Sequence, residues 1–243
     1  MSFDRQTMSR SQADVAQYDV GLRQYMLGVY NHMVAALVFT GLIAFGTTML
    51  AVQDGMLTSF GQAIYASPLK WVVMLAPIGM VFLISARVSS MSLSAARISF
   101  YVFAALMGLS LSSVFLVFTG ESIARVFFIT AAAFAGLSLY GYTTKKDLSG
   151  LGTFAVMGVF GVLIASIVNI FLQSTALQFI ISVAGVLVFS ILTAYDTQRI
   201  KEMYNEIDAS DVAGKKAIMG ALTLYLDFIN LFMFLLQLFG NRE

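Results

Sequence analysis

Between Leu148 and Tyr195 the chain runs for 48 residues without a charged side chain. A helix that crosses a bilayer needs about 20 predominantly apolar residues, so this stretch is too long for one crossing and long enough for two. The polar triplet Gln173-Ser174-Thr175 divides it into helices over about Phe154–Leu172 and Leu177–Arg199. Further charge-free runs predict crossings over Tyr30–Val52, Trp71–Ala86, Ile98–Gly120 and Val126–Thr144, and a run apolar almost throughout predicts one over Ala217–Phe239, seven in all. Within lipid every backbone polar group must be satisfied internally, which leaves helices or closed barrels. The runs are continuously apolar and lack the alternation of barrel strands, so the expected fold is an all-α membrane protein.

Composition agrees, with 59% hydrophobic and 11% charged residues and a mean hydropathy of +0.85. Seven crossings and short loops fill the 243 residues. The expected organisation is a cytoplasmic tail over 1–29, a seven-helix domain over 30–239 and a short C-terminal tail over 240–243. The absence of cysteine and the single histidine, His32, exclude disulfides, thiolate zinc sites and iron–sulfur clusters, and no cofactor is expected. A net charge of +1 with no phosphate-gripping Lys/Arg cluster argues against a nucleic-acid partner; the expected surroundings are membrane lipid. His32 and Trp71 read as residues of the membrane interface.

Counted by loop, eleven Lys and Arg lie in the N-terminal tail and the loops after helices two, four and six, against three on the other side. This asymmetry predicts a cytoplasmic N-terminus and an outside C-terminus.

Helix seven carries Asp227 near its middle. A charged acid at a helix centre costs roughly 2.5–3.5 kcal/mol on insertion scales, so it is expected to face protein or a water-filled path. At about 100° per residue, Gly220, Thr223, Asp227, Asn230, Phe234 and Gln237 share one face, which makes Thr223 and Asn230 candidates to line a pathway. In helix five Gly158, Gly161, Ala165 and Asn169 form a small-residue ridge suited to helix packing, with Asn169 a further candidate for the lining. The other acid within the predicted membrane zone is Asp196, near the end of helix six, which also reads as an interfacial acid beside Arg199. Two carboxylates within a few ångströms cannot both ionise readily and share one proton, which makes a pH sensor. Counted from the predicted helix ends, however, Asp196 and Asp227 differ in depth by roughly 10–15 Å. Arg87, at the end of helix two, is either a snorkelling interfacial residue or a counter-ion to these acids.

TAYDTQRIKEMY (Thr193–Tyr204) and KKAIMGALTLYLDFINLF (Lys215–Phe232), with AALMGLSLSSVF (Ala104–Phe115) and YGYTTKKDLSG (Tyr140–Gly150), resemble the bacterial branch of the transmembrane Bax inhibitor motif family. The resemblance implies a central C-terminal helix wrapped by the other six in two three-helix layers. It further implies a pH-sensitive calcium leak of the inner membrane, gated by Asp196 and Asp227. The family's basic latch corresponds to Arg87 in ISARVSS; the acid that some relatives carry in helix two has no counterpart in Trp71–Ala86. Calcium favours oxygen ligands, so Asp196 and Asp227, with Asn230 or backbone carbonyls, are expected to offer the permeant ion a transient site. Two other functions compete. Bacterial relatives resemble modulators of a membrane-anchored AAA protease, with Met1–Arg23 as the handle. Tyr195-Asp196 with Asp227 also matches part of the pattern of intramembrane aspartyl proteases, but Leu224-Tyr225-Leu226-Asp227 stands where those enzymes carry Gly-x-Gly-Asp, and their Pro-Ala-Leu motif is missing.

Overall fold

The structure, a computed structural model, describes residues 2–242, with side chains from Asp19 onward. Seven helices among the described residues are long and apolar enough to cross a membrane. They are α1 (Ser2–Ala51), α2 (Leu69–Arg87), α3 (Leu93–Leu111), α4 (Gly120–Thr143), α5 (Ser149–Leu172), α6 (Thr175–Glu202) and α7 (Ser210–Phe239).

Most helices outrun their charge-free stretches, because the chain ends them with caps rather than at the last apolar residue. The side-chain oxygens of Ser92, Thr119 and Ser174 accept the backbone N–H of Ala95, Ser122 and Leu177 and so open α3, α4 and α6. Gln173, in the left-handed region at φ 49°, closes α5. Between α1 and α2, Asp54 (φ 51°) and Gly55 (φ 74°) make the tight turn of a two-stranded hairpin, Val52–Gln53 with Met56–Leu57. At the first helix the sequence-based start at Tyr30 falls short: Leu22, Tyr25, Met26 and Val29 are buried core residues of α1. The charges before Arg23 conceal this, because they lie on a helix that carries its apolar face out past the lipid zone. The side chains of the expected tail as far as Tyr18 lie outside the described residues.

Helix α7 is the centre of the bundle. Of its apolar stretch 67% is buried, against 33% at most for any other span. It packs on α1 and α3 on one side and on α4 and α6 on the other. Outside these, α2 lies against α3 and α5 against α6. Lipid is as apolar as leucine, so such helices are held by close packing and interhelical hydrogen bonds rather than by the hydrophobic effect. Aromatic rings supply much of the fit: Phe228 meets Phe127 at 5.4 Å and Phe134 at 5.5 Å, and Tyr225 meets Phe103 at 5.2 Å. Glycines set the close approaches at Gly141, where a Cβ would strike the Ala194 carbonyl of α6, and at Gly108, where it would strike Thr40 and Ile43 of α1. The helix-five ridge is only partly a contact surface. Gly158 packs on Val188 of α6, while Gly161 faces open space.

Candidate functional site

Helices α6 and α7 run antiparallel from a seven-residue connection, and their side-chain contacts define the register. Gly220 of α7 sits against Ile200 of α6, and Gly185 of α6 against the ring of Phe234. This alignment sets Asp196 opposite Thr223, so Asp227 lies about one turn, roughly 5 Å, further along the pair. The depth mismatch expected from the sequence therefore shrinks, because α7 begins at Ser210 and projects well beyond the end of its apolar run. Cβ atoms lean toward the N-terminus of their own helix. In an antiparallel pair at this offset that tilt brings both carboxyl groups toward each other, and the remaining gap closes.

The two carboxyl groups face each other closely enough to interact directly. Asp227 is 4% exposed and its Oδ2 is buried with no protein donor; Asp196 is half-buried. Carboxylate oxygens only accept, so two of them bond to each other only when one oxygen carries a proton. Asp196 is the charged neighbour that acts on Asp227, and two carboxyl groups this close do not both ionise readily. The nearby cation is Arg199, one turn beyond Asp196 on α6, which acts on Asp196 through its charge.

Arg87, expected as the basic latch, is not at the pair. It stands exposed at the C-terminal end of α2, and α2 lies outside α3, on the side of the bundle away from α6. Among the described residues the ion pairs are Lys216–Asp208 at 2.6 Å and Lys215–Asp211 at 3.3 Å, and Arg87 is in neither. Thr223 and Asn230 share the half-buried face of α7 with Asp227, but each turns its polar group onto its own helix: Thr223 donates to Met219 O at 3.1 Å and Asn230 to Leu226 O at 2.8 Å. Among the described residues no cluster of three or more His, Cys, Asp or Glu could hold a metal ion. A cation at this pair would have to complete its oxygen shell from neutral groups.

Asn169 lies at the far end of the α6–α7 interface. Its amide donates to Gln178 Oε1 at 3.1 Å and its Oδ1 accepts Ser174 N at 3.0 Å. Gln178 in turn donates to Gln237 Oε1 at 2.5 Å, and Ser182 donates to the same oxygen at 3.0 Å. These side chains line a polar cavity of about 380 Å³, which also includes Arg242. Between this cavity and the carboxyl pair the interface is closed by rings. Phe234 stacks on Phe189 with centroids 5.9 Å apart and lies flat over Gly185, where a Cβ would come within 2.5 Å of it.

Sequence reasoning missed the hydroxyl string behind the pair. Tyr30 OH bonds Ser138 Oγ at 2.7 Å, Ser138 Oγ bonds Thr197 Oγ1 at 2.8 Å, and Thr197 donates to Thr193 O at 2.7 Å. It links α1, α4 and α6 next to Asp196. Singly these residues look like ordinary members of apolar runs, and only their convergence marks them. Gln198 was likewise unread: its Oε1 accepts Leu148 N and its Nε2 donates to Lys146 O, both at 2.9 Å, which fixes the α4–α5 loop on α6. In that loop Asp147 accepts Ser149 N at 2.8 Å, and the Ser149 side chain and backbone hold its carboxyl below the usual carboxylate range.

The family model described as "Inhibitor of apoptosis-promoting Bax1" matches residues 22–243. The chain belongs to that family. The match begins at Leu22, a buried core residue of α1, and takes in both aspartates, so the family's shared unit is the whole bundle. Relatives align over nearly their full length. A protein of Caulobacter vibrioides is 48% identical over 229 residues, 93% of this chain and 92% of its own. One from Rickettsia prowazekii is 45% identical over 228 residues, 93% of each chain. The inner membrane protein YbhL of Escherichia coli is 42% identical over 232 residues, 94% of this chain and 96% of its own. In this Bax1-family chain, half-buried Asp196 and buried Asp227 thus face each other across α6 and α7.

Proposed function

We propose that this protein is a pH-sensitive calcium leak, with the Asp196–Asp227 pair as its gate. The observation behind this reading is the approach of two carboxyl groups across the α6–α7 interface, with Asp227 buried, an arrangement suited to hold a proton at the junction of two helices. Its location is the inner membrane, as for YbhL, with the N-terminus cytoplasmic in accord with the Lys/Arg asymmetry.

The pathway follows the α6–α7 interface from the carboxyl pair, past the Phe189–Phe234 stack, to the polar cavity at Asn169, Gln178 and Gln237. While the pair shares a proton, it ties α6 to α7. Removing that proton puts two negative charges in contact, with Asp227 buried, and the repulsion loosens the interface. The same ionised oxygens suit a hard divalent cation, and two carboxylates without a third acid make a weak site, as passage requires. Arg199, rather than Arg87, is the cation placed to moderate the charge on Asp196. A hydrolytic role for the pair has less support, because Asp227 is 4% exposed and sealed from any peptide bond.

The test is calcium flux into proteoliposomes across a pH series. Flux through the wild type is expected to rise with pH as the shared proton is lost. Asp227→Asn keeps the shape and a hydrogen bond to Asp196 but removes one titrating group, and is expected to flatten the profile. A pH profile identical to wild type would rule out the pair as the sensor.

A further inference from the structure

A cavity of about 680 Å³ opens between α1 and α4. We propose that it is a binding site for a single anionic phospholipid of one leaflet. The two helices flank α7 without closing on each other. Their facing lips, Leu27, Val34 and Val38 on α1 and Ala135 and Leu139 on α4, are exposed within two spans apolar enough to cross a membrane, and the floor is buried Met33, Phe134 and Phe228.

Length, volume and charge fit this occupant. From Arg23 to Val38, the ends of the α1 wall, a helix rises about 22 Å. One leaflet offers about 15 Å of hydrocarbon plus roughly 5–8 Å of headgroup. The volume lies within the roughly 300–1,000 Å³ of pockets that bury small ligands. The two ends differ as an amphiphile requires. At one end Arg23 stands exposed, and among the described residues it belongs to neither ion pair. Tyr142 also lines the cavity, and Lys201, behind it, lies 5.2 Å over its ring and donates to its carbonyl at 2.9 Å. At the other end Val38, Phe127 and Ala131 are apolar. A basic, aromatic mouth over a hydrocarbon trough places a phosphate at Arg23 and an acyl chain along Met33 and Phe134. The hydroxyls of Tyr30 and Ser138 that border the trough are bonded to each other, and Ser138 also to Thr197, so they make no polar demand on the chain.

The experiment measures lipid binding by native mass spectrometry of the full-length protein in detergent, titrated with phosphatidylglycerol or with phosphatidylcholine carrying the same acyl chains. Wild type is expected to bind phosphatidylglycerol preferentially. Arg23→Gln is expected to weaken that binding about fivefold, the share of one basic residue at a membrane surface, and to leave phosphatidylcholine unchanged. Ala135→Trp, which fills the trough from its exposed lip, is expected to remove both; Val34→Trp, on the facing lip, serves the same purpose should the first variant not fold. Lys70→Gln, distant from the groove, is expected to bind as wild type. Equal binding of the two lipids by wild type, or phosphatidylglycerol binding that survives both Arg23→Gln and a folded trough-filling variant, overturns the proposal. The readout involves no ion flux and stands or falls apart from the leak.

Discussion

Helix α7 is clasped to α1 by one hydroxyl pair whose direction the geometry determines. Thr40 Oγ1 lies 2.9 Å from the Ala104 carbonyl and 2.7 Å from Tyr225 OH. A carbonyl only accepts, so the single Thr40 proton goes to Ala104 and Tyr225 must donate to Thr40. The two truncations are therefore unequal. Tyr225→Phe removes a donor and leaves Thr40 still bonded to Ala104; the loss is one interhelical hydrogen bond, about 0.6 kcal/mol on average in membrane helices. Thr40→Val keeps the shape but strands the hydroxyl of Tyr225, which is 0% exposed, and an unsatisfied buried group costs about 1–3 kcal/mol. Adding Tyr225→Phe to Thr40→Val removes the stranded group, so the double variant is expected to be more stable than Thr40→Val alone. The assay is a double-mutant cycle of reversible unfolding in mixed micelles. A double variant less stable than Thr40→Val, or Tyr225→Phe costing more than Thr40→Val, refutes the assigned direction and the reasoning on unequal cost.

Phe234→Ala removes the ring that covers Gly185 and is expected to raise basal calcium flux in proteoliposomes while keeping its dependence on pH; unchanged flux would mean that the stack does not close the path. Gly141→Ala pushes a methyl group into the Ala194 carbonyl, two residues before Asp196, and is expected to destabilise the bundle by about 1–3 kcal/mol, read as a lower unfolding midpoint in detergent, with Gly136→Ala, which meets open space, as the neutral comparison. Gln198→Ala leaves the buried Leu148 N–H without its acceptor, and faster hydrogen exchange at the start of α5 is expected, with the rest of α5 unaffected.

The charge-free run from Leu148 to Tyr195, with its polar divider, was enough to predict two crossings, and the same reading found all seven. Helix ends were less legible. Charged residues such as Glu202 and Asp211 belong to α6 and α7, because water permits a helix to continue where lipid no longer surrounds it. That shortfall produced the apparent depth gap between Asp196 and Asp227. It also hid the core residues Leu22 to Val29, since mixed charge along a helix says little about which face is packed. The counter-ion reading of Arg87, one of the two the sequence left open, fails for a different reason: sequence puts it at the same end of the bundle as Asp196, but the lateral position of α2 depends on which helices pack side by side.

What the sequence by itself determined is which segments cross the membrane and which acids are too costly to face lipid, because both follow from transfer energies that depend on composition and length alone. The tertiary structure decided which groups meet: Asp196 with Asp227, Arg199 rather than Arg87 beside them, Ser138 between Tyr30 and Thr197, and a trough between α1 and α4. Those meetings depend on helix register and lateral order, set by close contacts such as Gly141 on Ala194 and Gly185 under Phe234. The energy of such contacts comes from the fit of two surfaces, and one segment read alone carries only half of that fit.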